Sequence, residues 1–82
     1  MMNYKTQGVC SRAIHFDVVD NKVTNVAFEG GCSGNTQGVA ALVEGMDIDE
    51  ASRRMEGIRC GFKSTSCPDQ LATALKQYKA QN

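Results

Sequence analysis

The run from Ala13 to Phe28 limits what this chain can become more than any other stretch. From Ala13 to Val19 the residues alternate, with Ile14, Phe16 and Val18 on one face of a strand and His15 and Asp17 on the other. Asp20-Asn21-Lys22 reads as a tight turn, because asparagine tolerates the left-handed backbone such turns need. Val23 to Phe28 is the returning strand, with Val26 and Phe28 inward. These two strands predict a β-hairpin. A strand over Asn3 to Val9, carrying Tyr4 and Thr6 on one face and interrupted by Gly8, adds to it.

After the hairpin the apolar period changes from two to that of a helix. Glu29-Gly-Gly-Cys-Ser-Gly-Asn35 is glycine-rich and permits a sharp strand-to-helix turn. The first helix carries Val39, Leu42, Val43 and Met46, and Gly45 and Asp47 break it. Asp47-Ile-Asp-Glu50 is a capping-box pattern that opens a second helix with Ile48, Ala51, Met55 and Ile58 on one side; Gly57 ends it. Ile58 to Lys63 connects to a third helix whose apolar stripe is Leu71, Ala74, Leu75 and Tyr78. With Cys67 as the N-cap of that helix, Pro68 takes its first position and Gln70 the position that reaches back to the cap. The predicted order is β-β-β-α-α-α: an α+β domain spanning residues 1–82, with three helices on one face of a small antiparallel sheet.

A chain of 82 residues buries only about 60% of its unfolded surface, so it needs a disulfide, a metal or a partner to be secure. Nine acidic and nine basic residues balance, which leaves no basic field for nucleic acid. No apolar run reaches the ~20 residues that would span a membrane. The N-terminus, Met-Met-Asn-Tyr-Lys, has no apolar segment of a secretory signal, so a cytoplasmic, reducing location is expected. In that compartment four cysteines point to metal or redox chemistry rather than to structural disulfides.

All four sit where elements begin or end. Cys10 follows the first strand, Cys32 precedes the first helix, Cys60 follows the second and Cys67 opens the third. None falls within an apolar periodic face, where core cysteines usually lie. Cys32 and Cys67 share one device, a thiol at a helix N-terminus, where free N–H groups stabilise thiolate. Cys10, Cys32, Cys60 and Cys67 together make a soft ligand set for zinc or an iron–sulfur cluster. No C-x-x-C pair is present. The alternatives are a redox or nucleophilic thiol, and thiols that only fill space. His15, the single histidine, reads as a solvated strand position, with ligation as the alternative. Asp69 reads as a helix N-terminal charge, with a ligand or acid–base role beside Cys67 as the alternative.

Thr65-Ser-Cys-Pro-Asp69, followed by Gln70-Leu71-Ala72, resembles the signature that names the TSCPD domain family. Gly8-Val-Cys-Ser11, Gly30-Gly-Cys-Ser-Gly-Asn35, Leu42-Val-Glu-Gly45 and Gly57-Ile-Arg-Cys-Gly61 look like the other motifs of its small stand-alone members. The domain also occurs near the C-terminus of adenosylcobalamin-dependent ribonucleotide reductases. The resemblance therefore implies a link to deoxyribonucleotide synthesis and to ribonucleotide reductase as a partner. It does not imply catalysis, since 82 residues have no room for a reductase barrel with its cobalamin and allosteric sites.

A fainter resemblance is to NifU-type iron–sulfur scaffold proteins, through Gly31-Cys32-Ser33, Leu42 to Gly45, Asp49-Glu50-Ala51, Cys67, Leu71-Ala72 and Tyr78-Lys79. It implies the same three-strand, three-helix architecture, with Cys32 and Cys67 at one end. The chain departs from those scaffolds at Met46-Asp47, where they carry a further cysteine, and at Ser66, where they carry a histidine. Cys10 and Cys60 have no counterpart in them. Taken together, the expected function is a small non-enzymatic metal-binding module, holding zinc or an iron–sulfur cluster. The alternative is an accessory domain of ribonucleotide reductase that acts by thiol relay or partner binding. Neither the metal nor the oligomeric state follows from the sequence.

Overall fold

A computed structural model of the chain describes residues 2–9, 11–31, 33–59, 61 and 63–81; Ser33 is described for its backbone only. Three strands, β1 (Met2–Lys5), β2 (Ser11–Val19) and β3 (Lys22–Gly30), precede three helices, α1 (Ser33–Val43), α2 (Ile48–Met55) and α3 (Cys67–Gln81). The sheet order is β1-β2-β3 and both pairings are antiparallel. The α+β order expected from the hydrophobic periods is the order found.

The hairpin turn is two residues long. Asp20 and Asn21 both have positive φ, at 53° and 65°, and Val19 pairs with Lys22. Positive φ at both central positions matches the right-handed twist of the strands, which is why such turns join them without splaying. The turn then serves α2. The Asn21 carbonyl accepts the Ile48 N–H at 3.0 Å, and the Asn21 amide donates to Asp47 Oδ1 at 3.0 Å.

Strict alternation would put Val23 on the opposite face from Val26 and Phe28. All three face the helices, because β3 carries a bulge: His15 pairs with Ala27 and Asp17 with Thr24, so Asn25 and Val26 oppose the single residue Phe16. Asn25 absorbs the extra residue with φ 55° and donates to Asp17 Oδ2 at 3.1 Å. A second bulge lies in β2, where Ser11 pairs with Gly30 and Ala13 with Glu29, leaving Arg12 as the extra residue. Ser11 is thereby turned to the same covered face as Ile14. β1 is shorter than predicted and stops at Lys5, but Tyr4 packs on the core and Thr6 is buried on the same side, as alternation required.

The core is Ile14, Phe16 and Val23 of the sheet against Val43, Ile48, Ala51, Met55, Leu71, Ala72, Ala74 and Leu75 of the helices. Tyr78 meets Phe16 edge to face, with ring centroids 6.4 Å apart. Val39, Met46 and Tyr78 of the predicted stripes pack against this core, and two stripe residues stay exposed. Leu42 is 78% exposed and Ile58 44% exposed. Helix α1 ends at Val43, and its exit is pinned to β3 by Gly45 N–H to the Val23 carbonyl at 2.7 Å and Val23 N–H to the Met46 carbonyl at 2.9 Å. That anchoring selects Val39 and Val43 for the covered side, and Leu42 is left outside. Ile58 follows the end of α2, so the period that held Ile48, Ala51 and Met55 no longer governs it.

Asp47 caps α2 as expected, its side chain accepting from the N–H groups of Asp49 and Glu50. Glu50 does not complete the reciprocal box. Its carboxylate takes Arg53 and Arg54 on the same exposed face, so the attraction one turn along the helix wins over the cap N–H.

Candidate functional site

The N-terminus of α3 is where the β1–β2 connection, the end of β3 and the α2–α3 connection meet. Ser66 is its cap, not Cys67. The Ser66 hydroxyl accepts the Asp69 N–H at 3.1 Å, and its carbonyl accepts the Gln70 N–H at 2.8 Å as the first helical bond. Cys67 is therefore the first helical residue and Pro68 the second, where its missing N–H still costs nothing. The frame moves by one because serine oxygen accepts a backbone N–H far better than sulfur does. The pattern Ser66-x-x-Asp69 carried this signal in the sequence.

The frame shift also reassigns Gln70. Its Oε1 accepts the Gln7 N–H at 3.1 Å, and its Nε2 donates to Thr65 Oγ1 at 3.1 Å. Gln70 ties the β1–β2 connection to α3 instead of closing a capping box. Thr65 in turn donates to Asp69 Oδ2 at 2.5 Å, and the Gly57 N–H reaches Asp69 Oδ1 at 2.7 Å. The Thr65 hydroxyl first, and the Gly57 N–H second, hold the Asp69 carboxyl below the ordinary aspartate range; Lys76 and Arg59 act in the same direction. Asp69 thus joins α3 to the end of α2.

Cys67 is buried, at 9% exposure, beneath this network. Its Sγ lies 3.3 Å from the hydroxyl of Ser11, which is itself 3% exposed. Ser11 is gripped from its other side, since Thr6 Oγ1 donates to its carbonyl at 2.5 Å. Gly31, with φ 83°, passes so close that a Cβ there would sit 3.1 Å from the Ser11 nitrogen. Gly8, with φ 73°, lies against the Thr65 side chain. The Ser66 hydroxyl donates to the Ile58 carbonyl at 2.6 Å.

Of the four cysteines singled out, Cys67 is placed as a buried thiol at the start of α3. Cys10, Cys32 and Cys60 lie outside the described residues. Among the described residues no group of three or more histidine, cysteine, aspartate or glutamate side chains could hold a metal ion. His15 stands on the open face of the sheet, its Nδ1 against Asn3 Oδ1 and its Nε2 2.6 Å from Glu29 Oε2. Cys67 belongs to a helix on the covered face. Asp69 is occupied by Thr65 and Gly57 as a structural acceptor. Ser11, Thr65 and Ser66 lie inside the motifs quoted above but carry no individual role in the sequence reading, because isolated serine and threonine resemble any loop composition.

The profile of the TSCPD domain matches residues 2–79 of the 82. The chain belongs to the TSCPD domain family. The run Thr65 to Asp69 that resembles the signature of the TSCPD family is thus the stretch that caps α3, holds Cys67 and ties both to α2. No curated protein and no solved structure matches this TSCPD chain, so the likeness to NifU-type scaffolds rests on sequence motifs alone. Among the described residues no helix is long and apolar enough to cross a membrane.

Proposed function

We propose that this TSCPD protein is a non-enzymatic metal-binding module in which Cys10, Cys32, Cys60 and Cys67 hold one zinc ion or one iron–sulfur cluster. One observation carries the reading: the chain neighbours of the other three cysteines gather at Cys67. Ser11, bonded to Cys10, has its hydroxyl on the Cys67 sulfur. Gly31, bonded to Cys32, is packed on Ser11. Ile58, two residues before Cys60, is hydrogen-bonded to Ser66, the residue before Cys67.

The donor set fits the chemistry. Four thiolates are a soft tetrahedral set suited to zinc or to an iron–sulfur cluster. A domain of this size gains from such a centre, since structural zinc contributes about 10 kcal/mol or more to folding. The metal would fasten the β1–β2 connection, the β3–α1 junction and the α2–α3 connection to one another.

Metal analysis together with a visible absorption spectrum, taken on protein purified anaerobically from metal-replete cells, tests this reading. About one equivalent of zinc in a colourless protein, or iron with a brown colour, is expected. Less than about a tenth of an equivalent of any transition metal overturns it. The competing reading is an accessory domain of ribonucleotide reductase acting by thiol exchange or partner binding, and it draws on family membership and on Cys60 and Cys67 as an exchangeable pair. It forecasts the opposite behaviour: thiols that react freely without chelator and cycle with a disulfide reductant.

A further inference from the structure

We infer that Ser11 is the positioning residue of the Cys67 sulfur, and that its hydroxyl sets how that sulfur reacts. The assignment begins with parity. Ser11 is three residues from Ile14, so unbroken alternation would put it on the open face of the sheet. The Arg12 bulge reverses this, and Ser11 is 3% exposed on the covered side. Bulges of this kind re-aim side chains next to functional sites.

The rest of the surroundings keep Ser11 where the bulge puts it. Its backbone pairs with Gly30, its carbonyl takes the Thr6 hydroxyl, and the chain at Gly31 runs close beside it. Its hydroxyl is buried beside the likewise covered Cys67 sulfur at 3.3 Å, so the contact limits where that sulfur can turn. With the thiol protonated, either atom can donate. With the sulfur ionised or bound to metal, only the hydroxyl can, and its O–H then draws charge away from sulfur. Ser11 therefore acts through Cys67 and touches no ligand itself. The sulfur's role as a metal ligand rests on the reading proposed above; the hydrogen bond does not.

The test uses the full chain as wild type, Ser11→Ala and Ser11→Thr. In the metal-free protein the wild-type minus Ser11→Ala difference spectrum is expected to show one of the four S–H stretching bands, that of Cys67, moved in position, whichever of the two atoms donates, while Ser11→Thr shows no such difference. In protein loaded with Co(II), Ser11→Ala should move the sulfur-to-metal charge-transfer band to lower energy. It should also release metal to a chelator about 10-fold faster, the scale typical of losing an outer-shell partner, with Ser11→Thr near wild type. An S–H band that Ser11→Ala leaves unmoved overturns the inference. A wild-type protein that takes up no metal removes the metal reading, while the S–H band still decides the role of Ser11. Loss of helix content alone would not shift the band selectively or be rescued by threonine.

Discussion

Ser66 accepts the Asp69 N–H at 3.1 Å and donates to the Ile58 carbonyl at 2.6 Å, so one hydroxyl both caps α3 and fastens the α2–α3 connection to it. Ser66→Ala removes the cap and leaves a carbonyl without its partner. A lost cap costs about 1 kcal/mol and an orphaned acceptor adds to it, so a loss of about 1–2 kcal/mol is expected. Thermal unfolding should show it, at about 4–8 °C for each kcal/mol in a chain of this size. Ser66→Asp would bury a carboxylate against the Ile58 carbonyl, so it should be no more stable than Ser66→Ala although it keeps an acceptor for the cap.

Asp69 makes the same junction sensitive to acid. Its folded carboxyl is held below its unfolded value of about 3.8 by the Thr65 hydroxyl and the Gly57 N–H. A depressed carboxyl contributes stability that is fully present above the unfolded value and is lost as pH falls through the folded one. Melting temperature measured from neutral pH downward should therefore fall in the acid range. Asp69→Asn should be less stable at neutral pH and should show a shallower acid decline. Asp47 is depressed as well, chiefly by the Glu50 N–H, so the acid decline should persist in part. An acid profile parallel to wild type in Asp69→Asn would sink the assignment.

How much of this was readable in advance depends on the scale of the interaction. The hairpin, the helices and their order follow from apolar periods, which local sequence carries. The placement of Cys67 at the start of α3 was also readable, from Pro68 and Asp69. The cap is one residue earlier than expected, and Ser66-x-x-Asp69 carried that signal, since serine oxygen accepts a backbone N–H far better than sulfur does. The inward turn of Ser11 was hidden, because a bulge is a matter of register between two strands and leaves no period in either. Leu42 and Ile58 failed for a related reason: the anchoring of α1 to β3, and the end of α2, are tertiary facts that decide which apolar residues stay covered.

The Asn25 bulge gives that point a direct test. Asn25 has φ 55° and its amide holds Asp17, which is pulled below the ordinary aspartate range chiefly by this bond. Asparagine tolerates that backbone and a β-branched residue does not. Asn25→Val should cost about 2 kcal/mol in urea unfolding, as left-handed strain of about 1–2 kcal/mol adds to the lost hydrogen bond. Asn25→Gly, free of the strain but without the amide, should stay within about 1 kcal/mol of wild type. Equal stability of the valine and glycine variants would mean that β3 can shed its bulge, and with it the register that brings Val23, Val26 and Phe28 to one face.

Cys67→Ser separates the two uses of the sulfur, as a packed side chain and as a ligand. Serine is smaller and wetter, so some loss is expected from burial alone. The ligand role is read from the chelator instead. In wild type a strong chelator should lower the melting temperature, because a metal that binds only the folded chain stabilises it by mass action. In Cys67→Ser the bound metal should be largely gone at purification, and added chelator should change the melting temperature little. The chelator-induced shift thus falls toward zero in the variant, whatever the packing cost is. A variant that keeps a full equivalent of metal and the wild-type chelator shift would remove Cys67 from the ligand set.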